Sequence, residues 1–209
     1  MLTPIRLLQF FNLSRQVSVL FYAFLLPFLN FSNDDIGSFE LLQILAYSLS
    51  FFWISGLVQG LMHIYPSLPF QSKQKILSAA FFLFSLLTIF FVVFVGLSIY
   101  FNLSIFQTFS TIPFVWIFLL YFLFNTPSQL LEYALFLEEK YQWLKISCLV
   151  SFPLQIVLFS IPLFWFNNIR LGLMGLTFWA CLRFLVLTFH SFYLPIHFDK
   201  KLIYSQNIF

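Results

Sequence analysis

Seven side chains carry most of the chemical capacity of this oily sequence: Arg15, Gln59, His63, Asn125, Gln129, Glu132 and Arg183. Two of them are guanidiniums, whose planar forks grip a phosphate or carboxylate through paired hydrogen bonds. The carboxamides of Gln59, Asn125 and Gln129 each offer both donors and an acceptor. Such groups bind and orient a polar anion; they do not form a catalytic set. No Ser-His-Asp arrangement stands in a plausible context, no Gly-rich loop cradles a phosphate, and no acidic pair is spaced for a divalent metal. Cys148 and Cys181 have neither metal-ligand spacing nor the numbers for a disulfide framework. The expectation is a protein without enzymatic activity, without a cofactor or metal, and without nucleic acid as a partner.

The spacing of the polar residues adds a direction. Arg15, Ser18 and Tyr22 fall on one helical face, as do Ser48, Ser55, Gln59 and His63, then Asn125, Gln129 and Glu132, then Ser147, Ser151 and Gln155. Arg183 and His190 stand seven apart. Polar groups are costly in an apolar helix, so five such stripes predict a bundle that turns them toward a common interior. The same stripes also serve as hydrogen-bonding glue between helices. Arg183 has two main readings, a structural pair with Glu132 or a ligand for an anionic substrate, and beside them an oligomer contact or snorkelling. Facing lipid near mid-membrane would cost about 2.5–3.5 kcal/mol. Arg15, close to its helix start, either joins the interior stripe or snorkels to the headgroups. Gly56 and Gly60 form a small-xxx-small pair, which predicts close packing of the second helix. Pro127, Pro153 and Pro162 predict kinks.

The elements that must position these residues follow from composition. The chain has 209 residues, 61% of them apolar and 8% charged, with a mean hydropathy of +0.96. Soluble domains carry about 25% charged residues, so this chain is expected to dissolve in lipid. The apolar runs are continuous rather than alternating, which excludes barrel strands. We read an all-α, polytopic membrane protein: one transmembrane domain over 1–209, a bundle of six helices at roughly 13–31, 40–63, 77–100, 112–137, 146–166 and 171–195. About 20 residues span a hydrocarbon core of about 30 Å. Arg6, Arg15, Lys73, Lys75, Lys140, Lys145, Lys200 and Lys201 gather on one side, against Arg170 alone on the other. By the positive-inside bias both termini are cytoplasmic and the protein sits in the cytoplasmic membrane.

Three stretches resemble the polysaccharide branch of the multidrug/oligosaccharidyl-lipid/polysaccharide exporter superfamily, the O-antigen-type flippases. They are WISGLVQGLMHIYP at the end of the second helix, LLEYALFLEEKYQWLKISCLVSFPLQIVL from the fourth helix into the fifth, and NIRLGLMGLTFWACLRFLVLTFHSFYL in the sixth. The resemblance implies a transporter lobe that helps move a polyprenyl-diphosphate-linked oligosaccharide across the membrane, with cations on the diphosphate and polar stripes along the sugars. His63 departs from the pattern, standing where the family commonly has a permanent cation. Members typically have two lobes of helices, and this chain matches only the N-terminal one. Its expected partners are therefore membrane lipid, the lipid-linked oligosaccharide, and a second lobe or another copy of itself. The alternatives are a non-transporting scaffold or assembly subunit, or a truncated, inactive transporter fragment.

Overall fold

The computed structural model describes residues 4–192, and among these every regular element is helical. Lys200 and Lys201, the end of the sixth expected helix and the Phe209 terminus lie outside the described residues. The helices are α1 (Pro4–Phe28), α2 (Asn33–Ile64), α3 (Phe70–Tyr100), the single turn α4 (Gln107–Ser110), α5 (Val115–Ser128), α6 (Leu130–Leu137), α7 (Tyr141–Phe166) and α8 (Ile169–Phe192). Among the described residues, three segments are long and apolar enough to cross a membrane: Lys75–Tyr100, Tyr141–Phe166 and Ile169–Phe189.

The boundaries depart from the sequence reading in two places that matter. α1 begins at Pro4, about two turns before the expected start, so Arg15 stands mid-helix rather than near an end. The fourth expected helix is divided into α5 and α6 at Gln129. Pro127 has no N–H to continue the hydrogen-bond ladder, and the Gln129 N–H is shared between the carbonyls of Asn125 and Thr126 at 3.2 and 3.3 Å.

Local chemistry closes the helix ends. Ser32 caps α2, its hydroxyl accepting from the Asp35 N–H at 3.1 Å, and Asp34 and Asp35 sit in the first turn where the helix dipole favours anions. Asn30, Asn102 and Asn167 take positive φ just past the ends of α1, α3 and α7, a conformation asparagine tolerates better than bulkier residues. At the other end of α2 the chain tightens into a 3₁₀ turn at Tyr65–Ser67. Tyr65 is buried there, with the Lys73 ammonium 5.2 Å from its ring centre. Burial, with a smaller contribution from Glu138, pushes the Tyr65 hydroxyl up to about 12.

Buried residues recur every three or four positions along each long helix. In α8 the stripe is Ile169, Leu173, Leu176, Ala180, Arg183 and Leu187. It sorts the core into layers. One apolar cluster, including Leu26, Phe39, Val95, Phe114 and Phe159, fills the end of the bundle near the α1–α2 turn. Two others occupy the opposite end: Tyr65, Phe84 and Leu130 in one, Phe11, Leu144 and Cys148 in the next. The buried polar side chains lie between them. The closest helix packing joins α5 to α8 and α7 to α8, whereas α2 touches α1, α3 and α5 sparingly.

The glycine expectation is overturned. A Cβ built at Gly56 or Gly60 meets nothing within 4 Å, because that side of α2 faces outward. The close approach is made instead by α8. At Gly172 a Cβ would stand 3.1 Å from the Phe159 carbonyl oxygen, and at Gly175 it would overlap the Leu158 carbonyl. Backbone cannot yield as a side-chain tip can, so Gly175→Leu should destabilise the detergent-solubilised protein by about 1–3 kcal/mol or more in thermal unfolding. Gly60→Leu should leave the transition where it is.

Candidate functional site

A polar cavity of about 70 Å³ lies between the apolar layers, walled by α1, α2, α5, α7 and α8. A polar space of that size holds a few waters. Its chemistry comes from Arg15, Tyr47, Asn125, Gln129, Gln155 and Arg183. Each helix delivers its polar residue on the same stripe as its buried apolar ones. Ser18 and Tyr22 follow Leu7 and Phe11 in α1; Ser151 and Gln155 follow Leu144 and Cys148 in α7.

Arg183 is buried and pairs directly with buried Glu132 through Nη2. The same nitrogen reaches the Ser128 carbonyl at 3.5 Å, at the junction of α5 and α6. Of the readings open for Arg183, the structure contains the pair. It also leaves polar capacity unused. Arg183 Nε, Glu132 Oε2, Gln129 Oε1 and the Tyr22 hydroxyl are buried without a hydrogen-bond partner. Unmatched buried groups of this kind cost about 1–3 kcal/mol each unless water or a ligand meets them. Trp179 Nε1 donates to the Ser151 hydroxyl at 3.2 Å, fastening α8 to α7 beside the pair.

Arg15 is half-buried and lines the cavity, so it belongs to the interior stripe. Among the described residues it has no acidic partner within ion-pair distance. Arg15, Tyr47 and Ser50 also line a second space of about 330 Å³, a cleft between α1 and α2 that extends to Ser55, Gln59 and Met62. These three residues line both spaces and form the neck between them.

Asn125, Gln129, Glu132, Arg15 and Arg183 are thus brought together. Gln59 and His63 are not. Both are exposed; Gln59 borders the outer cleft, and His63 lines neither space. The reason is angular. Phe39, Leu42, Ala46, Val58, Leu61 and Tyr65 take the core side of α2, and the stripe of Ser48, Ser55, Gln59 and His63 lies roughly 150° round the helix from it. The polar face that α2 does present is Gln43, Tyr47 and Ser50, which the sequence reading missed. Their four-then-three spacing is a stripe as regular as the one selected. Tyr121 was missed too, although it continues the four-residue spacing of Asn125 and Gln129 one turn back. The side chain of His190 lies outside the described set.

Compared with known protein families, curated proteins and solved structures, the chain has no match.

The pair predicts a double-mutant signature. Arg183→Gln strands a buried carboxylate and should cost about 3–5 kcal/mol of stability. Glu132→Gln added to it should recover most of that loss, as measured by thermal unfolding in detergent. Additive losses would show that the two residues act separately.

Proposed function

We propose that this chain is a six-span lobe of a membrane transporter for a polyprenyl-diphosphate-linked oligosaccharide. On this reading it sits in the cytoplasmic membrane with both termini inside, and works with a second lobe or another copy of itself. The supporting observation is the charge of the cavity. Two guanidiniums, Arg15 and Arg183, line it, and behind the wall Arg183 is paired with one carboxylate, Glu132. One positive charge is left over at mid-bundle, where holding it unpaired is costly. A diphosphate supplies the missing anion, and the carboxamides of Asn125, Gln129 and Gln155 suit the hydroxyls of the adjoining sugar.

Glu132 already neutralises Arg183, so Arg15 is the residue that engages the diphosphate. At about 70 Å³ the cavity has no room for a saccharide, and the conformation is therefore a closed one. The headgroup reaches the neck along the α1–α2 cleft, whose polar wall includes Gln59. α1 and α2, with 25 and 32 residues, are long enough to span, and α5 with α6 completes the sixth crossing.

Topology is tested by single cysteines in a background lacking Cys148 and Cys181. Cysteines at Asp35 and Asn168 should react with an impermeant thiol reagent added to intact cells, and those at Gln74 and Gln142 should not. Inverted labelling removes the orientation.

Function is tested in proteoliposomes carrying the purified chain and a fluorescent polyprenyl-diphosphate saccharide. Translocation is read by the accessibility of the sugar to an impermeant lectin. Arg15→Gln should lower binding and translocation roughly tenfold or more, the value of a charge-assisted contact, without loss of thermal stability. If the wild-type chain neither binds nor moves the lipid-linked saccharide, the transport reading falls. The polar layer then serves a membrane scaffold, tying helices together.

A further inference from the structure

α6, α7 and α8 border a third space, which shares only Arg183 with the lining of the central cavity. It is a groove of about 730 Å³, roughly ten times the cavity's 70 Å³. Its walls are apolar, formed by Leu135, Ile146, Val150, Leu182 and Val186, with the Trp143 ring toward one end. Ile146, Val150 and Val186 are about half exposed, so the groove is open along the side of the bundle. The two helices that form its long walls, α7 and α8, are among those apolar enough to cross a membrane. A groove on that surface faces acyl chains.

The mouth of the groove is chemically specific. Lys140 lines it and occupies the N-cap position of α7. No side chain caps that helix, and its first turn has no acidic residue; the Tyr141 N–H is taken by the Glu139 carbonyl at 2.9 Å, which leaves the next N–H groups and the positive end of the dipole uncapped by any side chain. Beside them stand two carboxylates. Glu138 pairs with Lys140 at 2.7 Å, and Glu139, held at positive φ in the turn, is exposed. Lys145 is exposed one turn into α7. Tyr141 and Trp143 supply the amphipathic rings that settle at headgroup level. Inside, Arg183 is more than nine-tenths buried and its Nε has no partner.

We propose that this groove binds one amine-bearing zwitterionic phospholipid. An acyl chain lies between α7 and α8. The phosphodiester meets Lys140 and the N-terminus of α7, and the primary ammonium meets Glu139. The mixed sign of the mouth carries the choice. A purely anionic headgroup would gain Lys140 but face Glu138 and Glu139, whereas a zwitterion answers both signs. A choline headgroup matches in charge but has no N–H to donate to a carboxylate. The site is separate from whatever the central cavity carries. Arg183 is the wall between them, so the lipid buttresses the Arg183–Glu132 pair from behind.

The test uses the full-length chain, delipidated in mild detergent and titrated with dioleoyl phosphatidylethanolamine, phosphatidylglycerol or phosphatidylcholine under native mass spectrometry. One phosphatidylethanolamine per chain should be retained, at an apparent affinity about tenfold or more above the other two. Glu139→Gln should remove that preference, and Lys140→Ala should weaken all three lipids. Val150→Trp, which fills the groove from an exposed position, should abolish the adduct. Leu86→Trp, exposed on α3, should leave it intact. Should Val150→Trp fail to fold, Glu139→Gln on the exposed turn decides alone. Equal retention of the three lipids, preference for phosphatidylglycerol, an unaltered adduct in Val150→Trp, or a dimer covering Trp143 would each overturn the assignment.

Discussion

A guanidinium in the middle of an apolar bundle must have an anion, water, or a route out to the headgroups. Arg183 takes the first. It lies on the same stripe as Leu173, Leu176, Ala180 and Leu187, so α8 cannot bury its apolar residues without burying the arginine too. Glu132 is the carboxylate within reach, and the α5–α6 junction brings it there together with the Ser128 carbonyl. The pair fixes how α8 sits against the α5–α6 segment. It does not use every donor and acceptor it brings. Arg183 Nε and Glu132 Oε2 stay open, and in a low-dielectric interior such groups demand hydration or a ligand. The adjoining cavity follows from that demand. Filled with leucine and phenylalanine, this layer would leave them unmet.

The rest of the packing is arranged around that layer. Apolar clusters seal the bundle on both sides of it, so polar groups meet one another rather than lipid. The α7–α8 seam is drawn tight by Gly172 and Gly175 against the backbone of Leu158 and Phe159, and by the Trp179–Ser151 hydrogen bond. In lipid there is little hydrophobic gain from bringing two helices together, and contacts made through small residues supply dispersion energy that bulky ones would prevent. The glycines thus close the α7–α8 seam about two to three turns along α8 from the buried charge.

Much of this arrangement is legible in the sequence. Stripe spacing identifies the interior faces of α1, α5–α6 and α7, and it places Arg183 on the core side of α8. It fails for α2, which has two regular polar stripes about 150° apart; periodicity alone cannot choose between Gln43–Tyr47–Ser50 and Ser55–Gln59–His63. The choice is made by Phe39, Leu42 and Leu61, whose burial outweighs the exposure of two polar side chains near a helix end. Gly56 and Gly60 mislead for a similar reason. A small-xxx-small spacing permits close approach, but a facing helix must be there to use it, and that information lies in the tertiary packing. The Arg183–Glu132 pair was left open because counting residues from each helix end separates the two by about 10 Å at 1.5 Å per residue. That count assumes straight, parallel helices, and a proline-interrupted fourth helix is not one.

The unequal packing of α2 bears on how the molecule can change shape. α5, α6, α7 and α8 are tied by close backbone contact, a hydrogen bond and a buried ion pair, all of which resist separation. α2 has weaker ties to its neighbours, and its polar Tyr47 and Ser50 lie at the neck between cleft and cavity. Interfaces held by few contacts open at lower free energy than the core. An opening of α2 away from α1 would widen the neck and expose Arg15 while leaving Arg183 and Glu132 paired. The two arginines then have distinct tasks within one layer. The paired one fixes the frame; on the proposed transport reading, the unpaired one would stand at the moving edge, where a charge can stay hydrated from the cleft until an anion replaces the water.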